Sequence, residues 1–137
     1  MAHQPSIIMS TADKKAATAD LKPQIIEAKE AVKTATTQLK LTERAIKINT
    51  ITIFALQSEI EIGAGAKAAL KEEGLHWKKA AGLKTALDLL PGNKASLKET
   101  KAVSKELTKQ LKIDQKALSA AEKTLAGLIA QKEALKL

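Results

Sequence analysis

The chain has no cysteine and no tyrosine, and only one phenylalanine (Phe54), one tryptophan (Trp77), one arginine (Arg44) and two histidines (His3 and His76) among 137 residues. Without cysteine, disulfides and thiolate chemistry are excluded. His3 and His76 lack the paired spacing of a helical zinc site, so no metal is expected. Glu27 with Glu30, Glu59 with Glu61 and Glu72 with Glu73 are paired acids, but Glu73-Gly-Leu-His76 is the one Glu-x-x-His in the sequence and a di-iron bundle needs two, so its ligand set is incomplete. The glycine motifs that cradle phosphates and dinucleotides are missing as well. These gaps lead us to expect a protein that is not an enzyme, with no cofactor and no small-molecule substrate. The scarcity of aromatics leaves no stacking platforms for single-stranded nucleic acid. One arginine is poor equipment for reading base edges.

No run of 18 apolar residues occurs, so no membrane-spanning helix is expected. The opening MAHQPSIIMSTADKK has neither a basic segment nor a long apolar one, unlike a secretory signal. The expected location is therefore cytoplasmic or within an assembled particle.

What remains is Ala, Leu, Ile and Val for the apolar part, and Lys, Glu, Thr and Gln for most of the rest. That composition belongs to long helices or a coiled coil. One stretch resists it. KINTITIFALQSEIEIG, residues 47–63, holds Ile48, Ile51, Ile53, Ile60 and Ile62 with Thr50, Thr52 and Phe54, and looks like a strand. Its spacing decides otherwise. Ile25, Val32, Leu39, Ile46, Ile53 and Ile60 recur every seven residues, with Ala28, Ala35, Thr42, Asn49 and Leu56 three residues after the first five. This a/d heptad frame passes through the stretch without a slip and predicts helix. Ile46, Ile53, Leu56 and Ile60 then line one face, and Ile48, Ile51 and Ile62 the opposite one, with Phe54 beside them. A helix apolar on two faces is normally covered on both. One face can meet a helix of the same chain; the other calls for a third helix or another subunit. All eight residues are therefore candidates for self-association.

The expected layout is a single helical domain over 1–137. It has a flexible N-terminus (1–12), a long helix (20–62) capped by Asp20 with Pro23 in its first turn, a middle helix (67–90) and a last long helix (96–136). STAD (10–13) reads as a weak capping box, GAGA (63–66) as a hinge or break that its Ala-rich flanks could also bridge as helix, PGN (91–93) as the clearest loop, and SLKE (96–99) as the capping box of the last helix. Leu83, Leu87 and Leu90 mark the middle helix. Leu107, Leu111, Leu118, Leu125, Leu128 and Leu135 form the last seam, with Asp114 and Ala121 at d-type positions. Asn49 and Asp114 are then polar residues in a seam, which can act as register devices. The fold class is all-α: an elongated helical bundle or an antiparallel coiled-coil hairpin.

The net charge is +8, divided as +1 over residues 1–62, +2 over 63–93 and +5 over 94–137. Lys94, Lys98, Lys101, Lys105, Lys109, Lys112, Lys116 and Lys123 project within an arc of about 80° that no acid interrupts. The bland reading is the solvated back of an amphipathic helix; the functional one is a track for a polyanion. A smaller stripe, Lys22, Lys29, Lys33, Lys40, Arg44 and Lys47, is flanked by Glu27, Glu30 and Glu43, which favours salt bridges between helices. HWKK (76–79) carries the sole tryptophan, expected as a packing anchor, with a binding hot spot or an interfacial membrane contact as the alternative.

The leading expectation is a structural or scaffolding protein that works by helix–helix self-association. It would be a homo-oligomer or a subunit of a larger assembly such as a virion. The alternative is a basic helical protein that binds nucleic acid or another polyanion electrostatically. A membrane-active protein is disfavoured because Lys47, Asn49, Glu59 and Glu61 oppose deep insertion of the isoleucine-rich segment.

Overall fold

The computed structural model describes residues 10–72 and 74–136. They form two α-helices, α1 (Thr11–Ala69) and α2 (Trp77–Ala134), with no strand among the described residues. Most of the expected flexible N-terminus, including His3, lies outside the described residues, as does Glu73.

Helix α1 starts nine residues earlier than Asp20. Ser10 is its N-cap: the Asp13 amide donates to Ser10 Oγ at 3.1 Å and the Lys14 amide to Ser10 O at 2.9 Å. STAD is thus the true start, with Asp13 in the first turn where a negative charge meets the positive end of the helix dipole. Ser10→Ala should cost about 1 kcal/mol locally. The expected result is roughly five-fold faster hydrogen exchange at the first-turn amides, with the rest of α1 unchanged.

The expected breaks are not breaks. Pro23 lies well inside α1, and Pro91, Gly92 and Asn93 lie inside α2, so no separate middle helix exists. A proline inside a helix removes one amide donor and costs about 3 kcal/mol. Both rings are exposed and sit beside buried seam residues, Leu21 and Ile25 around Pro23 and Leu90 before Pro91. The flanking heptads hold the helix across each gap. Ser96, expected as a cap, is helix-internal, and its carbonyl accepts from Thr100 Oγ1 at 2.7 Å.

The real connection lies between Ala69 and Trp77. The end of α1 tightens through amides that reach back three residues, Lys71 to Ala68 O and Glu72 to Ala69 O. Gly74 then takes φ +74°, a left-handed conformation that glycine adopts without penalty. His76 opens α2: its carbonyl accepts from the Ala80 amide at 2.9 Å and its Nδ1 from the Lys78 amide at 3.3 Å.

The β-looking stretch is helical, as its heptad frame requires, and its threonine hydroxyls find partners within the helix. Thr50 Oγ1 donates to Ile46 O at 2.8 Å and Thr52 Oγ1 to Ile48 O at 2.9 Å. The hydroxyls are satisfied within the turn below, so the β-branched side chains cost only their modest propensity.

The chain divides into two compact units. The first comprises the chain up to Lys40 and from Ile113, and the second is Leu41–Lys112. In the first, Leu21, Ile25 and Ala28 are buried on α1 and Asp114 on α2. A shallow groove there is walled by Ala31, Thr34, Ala35 and Gln38 from α1 and by Asp114, Ala117 and Ala121 from α2. These short side chains leave it open. In the second unit the two helices run antiparallel. Asn49 Nδ2 donates to Thr100 O at 3.3 Å across the pair. Gly63 packs so closely on α2 that a Cβ there would meet Ala86 O at 3.0 Å and Leu90 Cδ1 at 3.1 Å. The supposed GAGA hinge is therefore a close helix–helix contact, with Ala66 only 1% exposed.

Candidate self-association surface

The second unit is thin. Its buried apolar residues are Ala66 and Leu90, and no large side chain among the described residues is fully enclosed. The reason is geometric: two helices can cover only one stripe of each other, and every other face remains in water.

The eight candidate residues divide between two faces of α1. Ile46, Ile53, Leu56 and Ile60 are half-buried in the seam against α2. They are spent within the chain and are not free to contact another copy. Ile48, Ile51, Phe54 and Ile62 point outward at 59%, 69%, 72% and 55% exposure. The outer face has its own heptad pattern. Leu41, Ile48, Ala55 and Ile62 recur every seven residues, and Arg44, Ile51, Ser58 and Gly65 recur three residues after them. All eight are exposed. Apart from Arg44 this is a row of apolar and small residues, the spacing of a second coiled-coil seam. Leu41, Ala55, Ser58 and Gly65 belong to it and were not among the sequence candidates. The seven-residue spacing from Ile48 and Ile51, parallel to the one through Ile53, is the signal that finds them.

Six of the eight stripe lysines, from Lys94 to Lys112, belong to the second unit, and Lys116 and Lys123 to the first; all eight are exposed. One has an acidic neighbour, Lys109 at 3.4 Å from Glu106, and both side chains are more than 70% exposed, so that pair adds little stability. The smaller basic set on α1 is exposed throughout. Trp77 is not a packing anchor: it is 70% exposed, stacked on His76 with ring centroids 5.8 Å apart, and Lys78 Nζ lies 5.5 Å from its ring centre. Asn49 occupies a seam position and bonds across it, while Asp114 is buried at 4% exposure.

Among the described residues no cluster of three His, Asp or Glu could hold a metal ion, and no helix is long and apolar enough to cross a membrane. No family model, curated protein or solved structure matches the chain.

Proposed function

We propose that the protein is a non-enzymatic structural or scaffolding component that acts by helix–helix self-association, its two helices completed into a larger bundle by further copies. It would serve as a homo-oligomer or as a subunit of a larger assembly, of which a virion or similar particle is one setting. One observation carries this reading: Ile48, Ile51, Phe54 and Ile62 form an exposed apolar row on a helix whose opposite face is already used. Covering an Ile or Phe side chain fully is worth about 1.5–3 kcal/mol. Four on each copy, each more than half exposed, offer a gain of the same order as the entropy that association costs. Contiguous apolar surface of this kind marks interaction sites.

The test is size-exclusion chromatography with light scattering over a concentration series, with absorbance followed at 260 nm. A defined oligomer free of nucleic acid supports the reading, and a monomer at every concentration overturns it.

A second reading, binding of nucleic acid or another polyanion along α2, draws on the six exposed lysines of the second unit. Reversing Lys101, Lys105, Lys109 and Lys112 to Glu should abolish binding to duplex DNA or heparin while leaving helicity intact. If those four neutralise phosphates, the wild-type protein should show a log–log salt slope of roughly −3.6. Unchanged binding in the variant would remove this reading. Oligomeric state should not respond to these substitutions.

A further inference from the structure

The outer row of α1 in the second unit carries charge unevenly along its length. Arg44 and Lys47 stand before the exposed isoleucines and Glu59 and Glu61 near their end, with no charged residue between Ile48 and Ser58. All four are exposed. Lys47, Phe54 and Glu61 are also seven residues apart, so they form one file along the edge of the apolar row.

We infer that a second copy of the chain packs on this row in antiparallel orientation, about a two-fold axis at Phe54. The inference rests on the self-association proposed above and adds its geometry. A two-fold through Phe54 sets Lys47 of each copy beside Glu61 of the other and brings the two Phe54 rings together. Both ion pairs form at once, because an isologous contact repeats itself. A parallel, in-register pair would turn this file toward the opposite edge of the partner's row, where Lys47 and Glu61 come level with Thr52 and Ala66 and find no opposite charge. The file is thus self-complementary in the antiparallel orientation and unpaired in the parallel one. Charge patterning of this kind at the edge of an apolar seam sets partner orientation more than affinity.

The experiment measures the dissociation constant of the full chain by sedimentation or light scattering at low salt, where screening is weakest. The variants are Lys47→Glu, Glu61→Lys and the two together. Each single reversal replaces two attractions with two repulsions and should weaken association about ten-fold. The double reversal restores both pairs with their signs exchanged and should return the constant to within about three-fold of wild type. The singles change net charge in opposite directions, so a loss in both cannot come from overall repulsion. Circular dichroism checks that each variant stays helical.

If the wild-type chain is a monomer at every concentration, the self-association reading falls and the antiparallel pair with it. If the wild type assembles but the singles associate normally, or the double reversal fails to restore them, the antiparallel arrangement alone is overturned.

Discussion

Ile51→Asp should turn the assembly into a monomer without unfolding the chain. Ile51 is 69% exposed in the helix pair, so the substitution removes no intramolecular contact of consequence. Exposed substitutions of this kind usually change stability by no more than about 0.5 kcal/mol. In the proposed assembly the same position would lie in the middle of the covered row. An unpaired carboxylate there loses the apolar gain and adds a desolvation cost of several kcal/mol. A two-fold contact incurs it twice. The expected loss of association is at least about 100-fold, read by light scattering, with the far-ultraviolet helix signal retained. Ile53→Asp supplies the contrast. Ile53 is half-buried against α2, so its replacement should weaken the helix pair itself by about 2–4 kcal/mol and lower helicity. If Ile51→Asp and Ile53→Asp behave alike, the distinction between the two faces is wrong.

The second large effect is expected at Gly63. Its missing side chain lets α1 approach Ala86 and Leu90 of α2. Alanine would gain about 1 kcal/mol in helix propensity but would place a methyl 3.0 Å from a backbone carbonyl, which cannot rotate away. Valine adds two methyls and β-branching, and overpacking typically costs 1–3 kcal/mol or more. Gly63→Val should therefore destabilise the protein by about 3 kcal/mol in urea unfolding followed by circular dichroism. Gly82→Ala should go the other way, gaining about 0.5–1 kcal/mol, because nothing lies within 4 Å of a Cβ added there. Opposite signs at two helical glycines would show that one is a contact and the other only a weak helix former.

These two glycines also show where sequence reasoning reaches its limit. The heptad frame of α1 was legible because periodicity is a long-range signal: all eleven of its a and d positions from Ile25 to Ile60 are buried or half-buried. The start at Ser10 was only half legible, since STAD is a weak capping box beside the Asp20 and Pro23 signal, while the outward isoleucines followed from an equally direct rule. The breaks did not. Glycine and proline are read locally as helix enders, but local cost is only one side of the balance. GAGA stays helical because Gly63 and Ala66 are packed against α2, a contact no local rule contains. PGN stays helical because the α2 seam runs through it. Sevens counted back from Leu111 and Leu107 fall on Ser104, Leu97, Leu90 and Leu83, and on Thr100, Asn93 and Ala86, all of them buried or half-buried. That pattern was present in the residues and outweighs the proline. Gly74 was equally visible and became the turn because the α1 frame ends near it: the next a position after Ile60 is the exposed Lys67.

The single connection between Ala69 and Trp77 has a consequence for how the chain is made. Synthesis runs from the N-terminus, so all of α1 is complete before the first residue of its packing partner exists. At about 5–20 residues per second, the 58 residues of α2 take roughly 3–12 s to follow. For that interval the nascent chain carries isoleucines on two bare faces, the one α2 will cover and the one left outward. Neighbouring nascent chains on one message, held close together, would meet through those faces before either has folded back on itself.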